Sequence, residues 1–161
     1  MITERELKKI IHYDEITGMF EWIGYRQGTK KGKKLGQITQ YGYLLVEING
    51  RNYRLHRLAW FYIYGYWPKV YIDHINGIKT DNRICNLREA DRSQNMQNQK
   101  KAQSINKTGL LGVYPSTKSK TFRSIITINN RRIELGSFKT KEEAHEAYIK
   151  AKREIHPYGT L

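Results

Sequence analysis

The sequence predicts an α+β protein: a small β-rich amino-terminal part leads into a strand-strand-helix core, and a three-stranded antiparallel sheet packed on one helix follows. Three observations support this fold class. Short strand-length segments are separated by turn signals, four segments carry the signals of helices, and the whole pattern restarts after Gly109.

The amino-terminal third combines a short helix, small strands and a longer buried helix. Apolar side chains recur at helical spacing over residues 3–12, behind Thr3 and with Glu6 placed as its capping-box partner. Residues 13–18 are predicted to form a turn. The elements that follow are strands at 19–22, 43–48 and 53–55, the Asn49-Gly50 turn between the last two, and a helix over 55–64 that stops at Gly65.

The middle of the chain predicts two strands and a helix. Strands are expected at 70–75 and 84–87, with a tight Asn76-Gly77 turn after the first. Asp91, with Gln94 three residues on, predicts the capped start of a helix that runs to about residue 97.

A polar segment divides the chain. Residues 98–108 are polar and basic with almost no apolar content, which is typical of a linker or of a segment ordered by a partner. We therefore predict a first domain at 1–98, made of a β-rich part (1–55) and a core (56–98), a basic linker at 99–108, and a second domain at 109–161.

The second domain is predicted to hold three strands and one helix. The strands are expected at 110–114, 122–128 and 133–138, joined by a basic turn at 115–121 and an Asn129-Asn130 turn. Thr140 then caps a helix whose acidic residues come first and basic residues last, the order that a helix dipole favours. A stripe of small and aromatic residues on this helix would pack on the sheet: Ala144, Ala147, Tyr148 and Ala151.

The charge predicts a polyanionic partner. The 161 residues include 29 Lys and Arg against 15 Asp and Glu, for a net charge of +14. Residues 1–50 carry 8 basic and 6 acidic side chains, 51–107 carry 11 and 4, and 108–161 carry 10 and 5, so the excess lies in the last two-thirds. The basic loop at 30–34 is more typical of a solvated turn than of a phosphate contact.

Composition also excludes several classes. The single cysteine, Cys85, excludes an internal disulfide and zinc sites built on paired cysteines, and we expect it to be a small buried hydrophobe. No apolar run is long enough to span a bilayer and the first residues do not resemble a signal peptide, so we expect a cytoplasmic protein. His56 is expected to be a packed or capping residue rather than a ligand.

Four polar residues are candidates for chemistry. Asp73 and His74 fall on the first middle strand, Asn86 on the second and Asn95 in the helix, so a hairpin folded against that helix would bring them to one face. A neutral histidine there could take a proton from water during phosphodiester hydrolysis. A carboxylate and an amide oxygen could hold a hard divalent cation that keeps water and phosphate oxygens as its other ligands.

These segments resemble the HNH homing endonucleases of phages and introns over roughly residues 13–98. The resemblance is carried by Leu55-His56-Arg57-Leu58-Ala59-Trp60, Ile72-Asp73-His74-Ile75-Asn76-Gly77 and Asp81-Asn82-Arg83-Ile84-Cys85-Asn86-Leu87-Arg88. It implies a ββα-metal core in which His74 is the general base, Asp73 and Asn95 bind Mg²⁺ or Mn²⁺, and Asn86 braces the loop. Asn95 stands where the family's histidine is usual, and Asn98 is a nearby alternative. Four flanking basic residues are candidate phosphate contacts, although each taken singly is more typical of a solvated face: Lys79, Arg83, Arg88 and Arg92.

The carboxy-terminal part is similar to the Apetala/ethylene-response-factor DNA-binding domain over residues 109–156. The similar residues include Gly112-Val113-Tyr114, Phe122-Arg123 and Leu135-Gly136-Ser137-Phe138. The resemblance implies a sheet that enters the major groove of DNA. The implied contacts are Tyr114, Phe122 and Arg123 on the sheet, with Lys118, Lys120, Arg131 and Arg132 in the turns. Tyr114 and Phe122 replace the arginine and tryptophan that are usual in the plant domains.

The sequence therefore predicts a metal-dependent DNA endonuclease of a phage or mobile element. It would bind double-stranded DNA and have no membrane or small-molecule partner; the sequence leaves the oligomeric state open, with a monomer favoured. One alternative is a non-catalytic DNA-binding regulator that keeps the nuclease fold, and another is an RNA-binding protein, since RNA binding uses the same charge and aromatic residues. The joint presence of Asp73, His74, Asn86 and Asn95 favours the enzyme over the regulator.

Overall fold

Two units make up the chain in this computed structural model. The structure describes residues 2–24, 32–100, 102, 105–128, 131–156 and 158–159. The first unit is Met1–Ala90 and the second is Asp91–Leu161. Helices and small antiparallel sheets occur together, as predicted for a mixed fold.

The first unit opens with a capped helix and a two-stranded sheet. Helix α1 (Glu4–Ile10) has the predicted capping box between Thr3 and Glu6. Strand β1 (Ile11–Asp14) pairs antiparallel with β2 (Met19–Trp22). The predicted turn at 13–18 is therefore shorter than expected, because the chain enters the strand directly from α1.

A three-stranded sheet and a buried helix complete the core of this unit. Strand β4 (Leu44–Ile48) pairs with both β3 (Gln37–Ile38) and β5 (Arg51–Arg54), and the Asn49-Gly50 turn joins the last two as predicted. Helix α2 (Leu55–Tyr64) has the predicted bounds and ends at Gly65 in the left-handed conformation. The fully buried side chains of the core include Leu7, Ile11, Phe20, Ile48, Leu55 and Leu58.

The last elements of the first unit differ from the prediction. Strand β6 (Tyr71–His74) pairs antiparallel with β7 (Leu87–Ala90), whereas the predicted second strand at 84–87 is wrong. A 3₁₀ turn (Ile84–Asn86) occupies most of that segment. The cause is a local bond: the backbone nitrogen of Asn86 donates to the backbone oxygen of Arg83 at 2.9 Å, which closes the 3₁₀ turn.

The prediction that Cys85 is a buried hydrophobe is also wrong. Cys85 is exposed in the middle of the 3₁₀ turn, while the neighbouring Asn86 and Leu87 take the buried positions. A 3₁₀ turn has three residues per turn, so one of three successive side chains faces solvent.

The second unit begins with a short helix and continues with a sheet packed on a longer one. Helix α3 (Arg92–Gln97) starts with the predicted capping box of Asp91 and Gln94. The sheet order is β10-β9-β8, with β8 (Val113–Pro115), β9 (Phe122–Ile128) and β10 (Arg131–Phe138). Strand β8 thus starts three residues later than predicted and β10 two residues earlier. The predicted Asn129-Asn130 turn lies outside the described residues.

Helix α4 (Lys141–Ile155) covers one face of this sheet. Thr140 and Glu143 form its capping box, and Ala144, Tyr148 and Ala151 of the predicted stripe are buried. Ala147 is half-buried, and Lys152 is buried in addition. Burial lowers the pKa of Lys152 to about 8, and its ammonium donates to the carbonyl of Gln99.

The division between units comes before α3, at Ala90 and Asp91. The predicted domain boundary comes after α3, at residue 98, and stays a prediction. Within the described residues, no helix is long and apolar enough to cross a membrane.

Substitution of Gly18 by alanine tests how the β1–β2 turn supports the loop before β7. Gly18 has φ +71, and a Cβ there would lie 2.4 Å from the Arg83 nitrogen and 2.7 Å from the Asn82 carbonyl carbon. Gly50 has φ +72 and nothing within 4 Å of a Cβ, so Gly50→Ala is a matched control. We expect Gly18→Ala to lower the free energy of unfolding by about 1–3 kcal/mol more than Gly50→Ala does.

Denaturant unfolding followed by tryptophan fluorescence measures this difference, because Trp22, Trp60 and Trp67 all belong to the first unit. Equal losses of stability in the two variants would contradict the contact.

Candidate active site

The candidate site lies at the carboxyl end of β6, where two polar side chains are buried. Asp73 is 6% exposed and His74 is 4% exposed. In the ladder Asp73 is opposite Arg88 and His74 is opposite Leu87. Burial of polar groups is unfavourable unless they find partners, so the neighbours of these two residues define the site.

Asp73 is held by Arg88 of β7. One carboxylate oxygen, Oδ2, accepts from Nε at 3.0 Å and from Nη2 at 2.8 Å of that guanidinium. Arg88, predicted as a phosphate contact, is therefore engaged with the carboxylate across the ladder. A charge-assisted pair of this kind compensates for part of the cost of burying the charge.

Asn86 braces the loop that connects the two strands. Its Oδ1 accepts from the backbone nitrogen of Asn76 at 2.9 Å, and its Nδ2 donates to the backbone oxygen of Asp81 at 2.8 Å. The backbone nitrogen of Ile75 donates to the backbone oxygen of Asn86 at 2.9 Å. The amide of Asn86, the last residue of the loop, therefore ties down both the start and the middle of the loop, which needs one acceptor and one donor on the same side chain.

Asp81 and Arg83 form an exposed pair within the same loop. The Arg83 guanidinium donates to both carboxylate oxygens of Asp81, at 2.8 and 2.6 Å. These bonds, with a further bond from Asn76, hold the pKa of Asp81 at about 2. Arg83, a predicted phosphate contact, thus already has an anionic partner.

Asn82 contacts His74 and was not singled out by sequence reasoning. Its Oδ1 lies 3.4 Å from Nε2 of His74, and its backbone oxygen accepts from the Tyr13 hydroxyl at 2.7 Å. Asn82 is 1% exposed. Its position in the Asp81-Asn82-Arg83 segment could have identified Asn82 as a candidate site residue. Its contact with Tyr13 could not be predicted in this way, because the two residues are 69 positions apart.

Burial keeps His74 neutral. Desolvation lowers the pKa of His74 below its usual 6.5, and the hydrogen bond to Asn82 opposes this only in part. The imidazole is therefore unprotonated at neutral pH, which is the form that accepts a proton.

A second buried histidine packs behind the first. The ring of His56, at the start of α2, meets the ring of His74 edge-on, with centroids 5.1 Å apart. Tyr43 closes the cluster, 5.1 Å from the His56 ring and 6.0 Å from the His74 ring. Burial, followed by the charges of His74, Arg54 and Arg57, lowers the pKa of His56 to about 3. The prediction that His56 is a packed residue is confirmed.

Of the residues predicted to hold a metal, Asp73 belongs to the first unit. Among the described residues no group of three His, Cys, Asp or Glu side chains is arranged to bind an ion. The buried Asp73 carboxylate is the donor that a hard cation prefers, and one carboxylate with water and phosphate oxygens is typical of Mg²⁺ sites. Asn95 and Arg92 belong to α3 and the alternative Asn98 is its C-cap, all in the second unit.

The second unit presents a polar sheet face opposite α4. Tyr114, Arg123 and Ser137 are in register across the three strands, and Arg132 is opposite Thr127 at the other end of this face. Ser124 and Ile126 point to the buried side, which Phe122 shares by alternation. Lys118, Lys120 and Arg131 are exposed.

Two further details describe this face. Nε of Arg123 is buried and has no hydrogen-bond partner within the part of the chain that the structure describes. Tyr114 and Arg132 line a cavity of about 1110 Å³ together with Arg92 and Met96 of α3.

The pKa of His56 predicts an acid-sensitive first unit. The folded-state pKa of about 3 is below the usual 6.5, so the unfolded chain binds the proton first as pH falls. This contribution is fully present above pH 6.5 and is lost between about pH 6.5 and 3. We expect the free energy of unfolding to fall by up to about 1.4 kcal/mol per pH unit there.

Tryptophan-monitored unfolding at a series of pH values measures this loss. His56→Phe should flatten the pH dependence, whereas His12→Phe, at an exposed position of β1, should leave it unchanged. A pH dependence in His56→Phe as steep as in the parent protein would contradict the assignment.

Comparison with known proteins bears on this region. Residues 53–97 match the family model described as HNH endonuclease, and the segment contains Asp73, His74, Asn86 and Asn95. A search of curated proteins and a search of solved structures found no match. The chain is thus similar to HNH endonucleases over the segment that builds the site, which supports a nuclease that acts on DNA.

Proposed function

We propose that the protein is a metal-dependent DNA endonuclease that hydrolyses phosphodiester bonds with His74 as the general base. The observation that carries this proposal is the buried, neutral imidazole next to a buried carboxylate, at the end of β6 and inside the matched segment. A base for water has to be unprotonated and held in place, and both conditions are met at His74.

In the proposed mechanism His74 accepts the proton of the attacking water. Asn82 and the His56 ring fix the imidazole, and Asn86 fixes the loop that carries Asn82. Asp73 and Asn95 would hold a divalent cation, Mg²⁺ or Mn²⁺, with Asn98 as the alternative to Asn95. Such a cation, when bound, stabilises negative charge on the leaving 3′ oxygen, and the products carry 5′-phosphate ends.

We also propose that residues 109–161 form an Apetala/ethylene-response-factor-type DNA-binding module of a phage or mobile-element homing enzyme. The face of Tyr114, Arg123 and Arg132 supports this role, because a strand ribbon with arginine on its outer side fits the major groove. Lys118, Lys120 and Arg131 would contact phosphates. Phe122 is a weaker contact candidate than Tyr114, since it shares the face that α4 covers.

Removal of the base should separate chemistry from binding. We expect His74→Ala to lower the cleavage rate of duplex DNA by about 10²- to 10⁴-fold, with DNA affinity nearly unchanged. The matched control is His12→Ala, at an exposed position of β1. The same cleavage reactions are run with Mg²⁺, with Mn²⁺ and with a chelator, and the ends of the DNA products are mapped. Cleavage by His74→Ala at the parent rate would remove this histidine from the mechanism.

The second unit should contribute sequence preference. We expect Arg123→Gln, in a His74→Ala background, to reduce the preference for target over scrambled duplex, because a good bidentate arginine–guanine contact contributes about 1–3 kcal/mol of discrimination. Lys150→Gln, at an exposed position of α4, is the control. An unchanged preference in Arg123→Gln would assign base reading to other residues.

A further inference from the structure

We propose that Tyr43, Arg54 and Lys79 form a phosphate clamp that holds the DNA backbone beside His74. The inference rests on the proposed function, since it assigns the residues that position the substrate of that site. The carrying observation is that one tyrosine ring contacts two exposed cations and the two buried histidines.

Lys79 is fixed although it is exposed. Its ammonium donates to the backbone oxygen of Tyr41 at 3.0 Å and lies 4.9 Å from the centroid of the Tyr43 ring. Its stem passes over Gly42, where a Cβ would lie 3.7 Å from Cδ. A lysine held in this way loses little additional side-chain freedom on binding an anion, and its ammonium has three donors, of which Tyr41 uses one.

Arg54 reaches the same ring from the end of β5. Its guanidinium carbon lies 5.1 Å from the Tyr43 centroid, so the two cationic groups are no more than about 10 Å apart. The turn that carries Tyr43 is closed by bonds between Thr39 and Tyr43 at 2.8 and 3.2 Å. Two cations on a fixed aromatic ring form a preorganised site for an anion.

Arg54 and Lys79 differ from the other basic residues around the site in their partners. Arg88 is paired with Asp73, Arg83 is paired with Asp81, and Arg57 donates to backbone carbonyls. Arg54 and Lys79 form no ion pair with any described carboxylate. An incoming phosphodiester is the anion that would neutralise them.

The position of the clamp relates it to the reaction. The Tyr43 centroid lies 6.0 Å from the ring of His74. Both cations lie near this ring, the Lys79 ammonium 4.9 Å and the Arg54 guanidinium carbon 5.1 Å from its centroid. A phosphate bound between them would sit at the entrance to the base, where in-line attack by water requires it.

A salt series measures the clamp directly. Binding of a 30-base-pair random duplex to the full chain carrying His74→Ala is followed from low to moderate salt. We expect Arg54→Gln and Lys79→Gln each to reduce the slope of log K against log salt by about 0.9, the value for one lost phosphate contact. Arg51→Gln removes the same charge from the other end of β5 and is the control. Parent slopes in both variants, or an equal reduction in the control, would overturn the clamp.

The tyrosine is tested without a change of charge. Tyr43→Leu should weaken binding about threefold to tenfold, through loss of both cation–π contacts, while Tyr43→Phe should bind like the parent. Tryptophan-monitored unfolding checks that each variant is folded. Equal binding by Tyr43→Leu and Tyr43→Phe in folded proteins would show that the ring does not organise the cations.

Cleavage distinguishes failure of the clamp from failure of the proposed function. With His74 present, Arg54→Gln and Lys79→Gln should lower kcat/KM by about 10- to 100-fold, as expected for a misplaced substrate. If they cleave and bind like the parent while His74→Ala is inactive, only the clamp is overturned. If His74→Ala cleaves normally, the proposed function fails, and the salt slopes still decide whether the clamp exists.

Discussion

The side chain of Asn86 is the constraint on which the geometry of the site depends. A two-stranded ribbon such as β6 and β7 is only marginally stable alone, and twelve residues separate its strands. The amide of Asn86, at the end of that connection, bonds to the backbone of Asn76 at its start and of Asp81 in its middle. Because the loop is closed in this way, Asn82 stays against His74, and Asp73 stays opposite Arg88.

In the first unit, the buried acidic and imidazole groups of the site are either paired or neutral. Asp73 has a guanidinium partner, and both buried histidines have lowered pKa values and are neutral. Two exposed cations that form no ion pair with a described carboxylate, Arg54 and Lys79, lie at the Tyr43 ring. The exposed positive charge attracts an anionic substrate, and burial keeps the imidazole of the base unprotonated.

Features encoded by residues close together in the sequence were predicted correctly more often than features that depend on distant residues. Helices α1, α2 and α4 were predicted with their caps, because a capping box or a stop glycine is encoded within a few residues. Asp73, His74 and Asn86 were predicted together and do lie together in the first unit. The contacts of Asn82 were missed because they join positions 8 and 69 residues apart. The strand at 84–87 and the burial of Cys85 were wrong because a 3₁₀ turn occupies this segment.

The pairing of Asp73 with Arg88 has a consequence for how this sequence can vary. The two positions are fifteen apart in the chain but opposite in the ladder, and each compensates the charge of the other. Substitution of Arg88 alone leaves the buried Asp73 carboxylate without its guanidinium, and substitution of Asp73 alone leaves the Arg88 guanidinium without this carboxylate. In descendants of this protein the two positions are therefore expected to be inherited, lost or exchanged as a pair, so that drift at one is limited by the state of the other.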